Sequence, residues 1–195
     1  MTNQEIYNAL QTIIAEKRLQ HSLHVSAMAR ELATLYGADA QKAALAGLVH
    51  DCARDMKAKS LLEMARENQL PVGPLEQEIP MLLHGPVGAL LCQKYFDIKD
   101  QELLRAVAVH TTGSPLMGLL EKIVFLADKL ESSRIYPGVE QLREAAKQGV
   151  DQGMRACLQH SLVYLLQNQA PLHPDMVAAW NQCVSQSREL LKIHE

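Results

Sequence analysis

Five segments of this chain place a histidine or an aspartate where the surrounding pattern is apolar: His21, His50-Asp51, His84, His110 and Asp128. The clearest case is residues 45–55, LAGLVHDCARD, where an apolar run leads straight into His50-Asp51. His21 heads the series Val25, Met28, Leu32, Leu35 at steps of four, three, four and three, which places it on the buried stripe of a helix. His110 follows Leu103 and Val107 at steps of four and three, and Asp128 follows Leu120 and Val124 at steps of four. His84 follows Met81-Leu82-Leu83 just before a helix start. An unpaired charge among apolar groups costs several kcal/mol, roughly, and usually neutralises instead. One such histidine reads as a satisfied core residue, and two read as a hydrogen-bonded pair. Five separate segments are explained together by a shared buried cation.

The residue types narrow that cation. Four imidazoles and two carboxylates, with no thiolate, suit iron, manganese, zinc or cobalt better than magnesium or calcium. Six ligands exceed one tetrahedral site and would leave one octahedral ion little room for substrate. Two ions roughly 3.5 to 4 Å apart, sharing a carboxylate, fit the number better. Asp51, fixed beside His50, is the expected bridge. Cysteine is not part of the set: Cys52, Cys92, Cys157 and Cys183 are scattered and form no C-x-x-C pair. They read as buried small apolar groups.

The elements that must carry these residues are helical throughout. The chain has 195 residues, 48% apolar but only 4% aromatic, so Leu, Ala, Val, Ile and Met fill the core. That palette favours helices. Helical spacing predicts segments over 4–17, 18–36, 39–51, 58–69, 86–95, 100–110, 116–131, 140–148, 151–168 and a last one reaching Leu191. Gly37 is a C-cap, Asp39 and Asp100 are N-caps, and 70–80, with three prolines and a glycine, reads as a loop. No stretch alternates with period two. The expectation is an all-α protein of about ten helices, a single domain over 1–195. A net charge of −3 speaks against a nucleic-acid partner. No run reaches the ~18 to 20 apolar residues of a membrane span. A polar N-terminus and the absence of a disulfide framework point to a reducing cytoplasm.

The order H21, H50-D51, H84, H110, D128 resembles the H…HD…H…H…D signature of the HD-domain phosphohydrolase superfamily. The stretches RLQHSLHV, GLVHDCARD, MLLHGPVGA and AVAVHTTGSPLMGLLEKIVFLADKLESSR resemble one branch of it, the YqeK-type symmetrical diadenosine tetraphosphate hydrolases. The resemblance covers a signature core of about residues 15–135, with the helices of 140–195 completing the bundle. HD enzymes commonly carry lysine three residues after the aspartate, where this chain has Arg54. The branch often reads Glu-Pro-x-Arg where this chain has Glu131-Ser132-Ser133-Arg134.

The resemblance implies an HD-domain helical bundle and a two-metal centre with iron as the first expectation. It makes His21, His50, Asp51, His84, His110 and Asp128 the metal ligands. The implied reaction is hydrolysis of diadenosine tetraphosphate to two ADP by hydroxide that the ions make available at neutral pH. Around that centre Arg54 is expected to stabilise phosphate charge; its bland alternative is a salt bridge to Asp55 or Asp51. Arg18, one turn before His21, is expected on phosphate, with a solvated helix end as the alternative. Thr111, Thr112 and Gly113 follow a ligand at a helix end and are candidates for phosphate or sugar, with Lys129 and Arg134 as weaker ones. His24 reads as flanking the ligands or as surface. The partner is a small nucleotide, with a homodimer left open. Rival functions are a different nucleotide phosphohydrolase, acting on nucleoside mono-, di- or triphosphates or guanosine tetraphosphate, and a non-enzymatic signalling module.

Overall fold

The computed structural model describes residues 1–192, with side chains through Ser185. Residues 193–195, including His194, lie outside the described residues. The described chain is all-helical, with eleven α-helices and one short 3-10 turn and no strand among them. They are α1 (Asn3–Ile13), α2 (Glu16–Tyr36), α3 (Ala40–Val49), α4 (Ala58–Glu67), α5 (Pro74–Glu78), the 3-10 turn Pro80–Leu83, α6 (His84–Phe96), α7 (Gln101–Val109), α8 (Leu119–Leu130), α9 (Val139–Gln148), α10 (Val150–Gln167) and α11 (Pro174–Lys192).

The caps follow from local chemistry. The Asp39 carboxylate accepts from the Gln41 and Lys42 amides, and Asp100 accepts from Leu103. Gly37 ends α2 in the left-handed conformation at φ 73°. Two expectations need correction. The stretch 70–80 holds α5 and the start of the 3-10 turn, with Pro74 and Pro80 in first-turn positions. The first boundary lies at Ile14-Ala15, because Ile14 is extended and the Ala15 amide donates to the Asp55 carboxylate at 2.9 Å. No local pattern near residue 15 announces that distant partner.

α8 is the centre. Its face toward α2, α3 and α7 and its face toward α9 and α10 are both covered, so Leu120, Ile123, Val124, Phe125, Leu126 and Ala127 are all buried. Its polar residues lie at the margins of this burial: Lys122, Asp128 and Lys129 are half-buried, and the buried Glu121 pairs with Arg105 at 2.9 Å. The buried apolar side chains of the described residues form one continuous cluster from Ile6 to Ala179. α2 lies closely on α3: a Cβ on Gly47 would sit 3.0 Å from the Ser26 backbone. The buried stripe of α2 runs through Leu19, Ser22, Val25, Ala29 and Leu32 to Ala33. Leu35, expected on that stripe, is 54% exposed, and His21 lies at the stripe's edge, half-buried. A helix advances 100° per residue, so a series stepped by four and three drifts off one face over four turns.

Candidate metal centre

Three of the histidines sit where a short helix ends. His50 follows the last residue of α3 and His110 the last of α7, while His84 joins the 3-10 turn to α6. In each, Nδ1 donates to the carbonyl three residues earlier: His50 to Gly47 at 2.7 Å, His84 to Met81 at 2.5 Å, His110 to Val107 at 2.7 Å. The Gly47 and Val107 carbonyls, at helix ends, thus gain a partner from an imidazole, while the Met81 carbonyl also accepts from the His84 amide. A carbonyl only accepts, so Nδ1 is the protonated nitrogen of all three rings. In the neutral ring Nε2 then bears a lone pair, and all three Nε2 atoms point to one place.

Asp51 joins two groups there. Its Oδ1 lies 3.2 Å from His84 Nε2 and 3.6 Å from His110 Nε2. Its Oδ2 lies 3.7 Å from His50 Nε2 and 4.0 Å from His21 Nε2. The ligand-type atoms of His21, His50 and Asp51 fall within 4.8 Å of one another, and so do those of Asp51, His84 and His110. Asp128 closes the first group, its Oδ1 at 3.1 Å from His21 Nε2 and 3.8 Å from His50 Nε2.

The donor set fits a cation. His84 and His110 bring their Nε2 lone pairs to 3.1 Å, with the Thr111 hydroxyl at 3.1 and 3.0 Å from them. His50 Nε2 is buried and has no hydrogen-bond partner. Unpaired buried acceptors converging on two carboxylates are an unfavourable arrangement that a metal ion resolves. The electrostatics agree. Burial pushes His50 down to about 4 and also lowers His84. Burial opposes the charged form of Asp51, but His50, His110 and His84 outweigh it and hold the carboxyl far below its usual range. For Asp128 burial is likewise outweighed, first by the His21 hydrogen bond. Burial also opposes the His21 imidazolium, yet the hydrogen bond and charge of Asp128 leave its pKa raised. Neutral His50 and His84 and ionised Asp51 and Asp128 are the forms that ligate a metal; His21 is drawn toward imidazolium and would lose a proton on doing so.

A family model described as the HD domain matches residues 18–133. The chain belongs to the HD family. Among its relatives is a protein of Halalkalibacterium halodurans named bis(5'-nucleosyl)-tetraphosphatase, symmetrical. It is 38% identical over 179 residues, covering 90% of this chain and 93% of that one. A Bacillus subtilis protein of the same name is 33% identical, covering 96% of this chain and 100% of its own. A solved structure from Clostridium acetobutylicum, described as a predicted HD superfamily hydrolase involved in NAD metabolism, superposes with a TM-score of 0.92. That pair is 34% identical, covering 95% of this chain and 98% of the other.

The structure distributes the remaining expected HD-site residues unevenly. Arg18, not Arg54, lies on the aspartates: its Nη1 is 3.0 Å from Asp51 Oδ2 and its Nε 3.5 Å from Asp55. Arg54 is half-buried and makes no ion pair among the described residues, so the alternative reading of a salt bridge to Asp55 or Asp51 does not hold there. Of the turn after α7 only Thr111 faces the histidine nitrogens. The Thr112 hydroxyl donates to the Gly113 carbonyl, and the Gly113 amide donates to Val109, so both groups are already used within the turn. Arg134 reaches Asp128 with Nη2 at 2.7 Å and its carbonyl with Nε at 2.9 Å. Lys129 lies over the Phe125 ring and 3.8 Å from Asp128 Oδ2.

Glu131 plays no part in the sequence-based set, yet it is buried beside His21. Its Oε1 lies 3.2 Å from His21 Nδ1, its Oε2 is 3.6 Å from His24, and Ser133 donates to it from both amide and hydroxyl. Burial opposes its ionised form, but Ser133 and His21 lower its pKa on balance. A carboxylate behind a histidine fixes which nitrogen faces forward. One signal existed: Glu131 is three residues after Asp128, on the same helix face. Arg143, reaching from α9 to the carbonyls of Leu130, Glu131 and Arg134, holds this corner and carried no local signal.

Proposed function

We propose that this chain is a metal-dependent phosphohydrolase that splits diadenosine tetraphosphate symmetrically into two ADP. The observation that carries the reading is the shared Asp51, which faces two histidine pairs with its two oxygens. His21, His50, Asp51 and Asp128 would hold one ion and Asp51, His84 and His110 a second, with iron the first expectation from the nitrogen and oxygen donors. Such ions supply acidified water and a counter-charge for phosphate oxygens.

The chain's own residues arrange the rest. The carbonyls of Gly47, Met81 and Val107 hold the Nδ1 protons of His50, His84 and His110 and aim their Nε2 atoms. Glu131 does the same for His21. Arg18 and Arg134 rest on the site carboxylates at its rim, where phosphate oxygens would compete for them. Arg54, uncommitted within the described residues, is free for a phosphate. The Thr111 hydroxyl is the polar group of its turn that can orient water or phosphate. The buried thiols of Cys52, Cys92 and Cys157 accord with a reducing cytoplasm, and the continuous core of the described residues supports reading 1–195 as one domain.

Anaerobic purification with metal analysis, then reaction in water enriched in heavy oxygen, tests the proposal. About two ions per chain are expected, and one ADP of each pair should carry the label on its terminal phosphate. ATP and AMP as first products would overturn the symmetric cut. NAD belongs in the same substrate panel, together with nucleoside mono-, di- and triphosphates and guanosine tetraphosphate. Preferential hydrolysis of any of these would replace the dinucleoside tetraphosphate as substrate. A fully metallated protein inert toward all of them would leave the signalling-module reading.

A further inference from the structure

Two clefts open beside the metal-site residues, and Arg134 and Tyr136 line both. They differ in chemistry. The first, of about 850 Å³, has Asp128, Lys129 and Arg134 at the catalytic side. Its other walls are apolar and aromatic, among them Tyr136, Leu142, His160, Tyr164 and Met176, contributed largely by the helices beyond the HD signature. The Tyr136 and His160 rings lie 5.2 Å apart, tilted by 38°, and Tyr164 is 59% exposed. The second cleft, of about 690 Å³, carries the cations Lys17, Arg18 and Arg134 and the histidines His21 and His24, with the carboxylates of Asp55 and Glu131 among them. Both volumes fall in the range of roughly 300 to 1,000 Å³ that small-molecule sites occupy.

A cut at the middle of a tetraphosphate places one nucleoside on each side of the metals. We propose that the two clefts take these two halves unequally. The aromatic cleft holds one nucleobase by stacking, and the charged cleft grips the other half through its phosphates. The assignment rests on the dinucleoside tetraphosphate reading above. It follows from the continuity of both clefts with the metal-site residues and from what each wall offers. Flat apolar side chains reward a base of any identity, in proportion to its stacking. Arginine and lysine reward phosphate oxygens and are indifferent to the base. A substrate with identical ends is thus read by two different surfaces. The exposed Tyr164 and the half-buried His160 of α10 acquire a role as the wall of a base site.

A substrate with unlike ends exposes the difference. In adenosine-tetraphospho-uridine the purine stacks better, so it should occupy the aromatic cleft in most turnovers. Hydrolysis breaks the central phosphoanhydride. Water oxygen joins one of the two central phosphorus atoms, and the bridging oxygen leaves with the other. With one preferred orientation, heavy-oxygen water should label one of ADP and UDP about tenfold over the other. Tyr164→Ala and His160→Ala should bring the ratio close to one to one. Leu166→Ala, on an exposed residue outside both clefts, should keep the wild-type ratio. Equal labelling by the wild-type enzyme would overturn the unequal assignment. So would cleavage of diadenosine tetraphosphate with no cleavage of the mixed compound, since both ends would then demand adenine. Unchanged bias in both Tyr164→Ala and His160→Ala would overturn the aromatic cleft as the base site. Failure of the metallated wild type to split diadenosine tetraphosphate would instead remove the reading on which the proposal stands.

Discussion

Asp51 is the residue on which both histidine pairs depend, because one carboxylate cannot be lost from one group alone. Asp51→Ala should therefore remove both ions, read by elemental analysis of the purified protein; full metal content in the variant would refute the bridge. Glu131 acts on one ligand only. Glu131→Gln keeps an acceptor for His21 Nδ1 but removes its charge, and should weaken metal affinity by about 10- to 100-fold in a chelator competition. Unchanged affinity would reduce Glu131 to a brace for the turn at Ser133. The six ligand candidates were legible because a titratable side chain inside an apolar periodicity stands out from its neighbours. Glu131 was not, because it follows the apolar run of α8 and looks like the start of a polar loop. At Thr112 and Gly113 the turn itself engages a hydroxyl and an amide that the sequence offers, which the local pattern does not announce.

The helices bring these residues together only if they pack closely. Gly85 follows His84 at the start of α6, and a Cβ there would come within 2.5 Å of the Ala108 carbonyl on α7. Backbone cannot yield as a flexible side chain can, so Gly85→Ala should force α6 from α7 and part His84 from His110. The expected loss is about 2 kcal/mol or more in denaturant unfolding, with weaker metal binding; wild-type stability would show that the helices tolerate the spacing. A second contact ties the 74–78 helix to the C-terminal region: Glu76 accepts from the Gly73 amide and pairs with His173 at 2.9 Å. Burial opposes its ionisation, but these hydrogen bonds and the His173 charge leave its pKa below the ordinary 4.5. A depressed carboxyl contributes stability above that value and loses it as pH falls through and below it. Glu76→Gln should cost about 1 kcal/mol at pH 7, with the gap to wild type closing below about pH 4. A gap independent of pH would assign the loss to packing. Caps such as Asp39 and Asp100 were legible because a cap is local chemistry. The 14–15 break was not, because Asp55 makes it from forty residues away.

Across the fold, the candidate ligands come from α2, the end of α3, the start of α6, the end of α7 and α8, so bound metal would tie five segments at once. A ligand that binds only the native state at 100 times its Kd stabilises it by about 2.7 kcal/mol. For a chain of this size that is roughly 5 to 10 °C in Tm. Removing metal with a strong chelator should lower Tm by that order, and restoring it should reverse the change in scanning calorimetry. An unchanged Tm would mean the packed helices hold the histidines unaided. The all-α class was readable from composition and periodicity. The aromatic cleft was not, since α9, α10 and α11 form its wall by packing, and no motif records which aromatic side chains end on the same side.

His50 and His110 terminate α3 and α7, so the carbonyl ends of two helices are directed at the same point. Each such end carries about half a negative charge, added to the carboxylates of Asp51 and Asp128. Arg18, Arg134 and Lys129 stand against those carboxylates and offset much of this charge. A cation that took over Asp51 and Asp128 would leave these three side chains without their partners. The same corner would then turn a surplus of positive charge outward, ready for an anion.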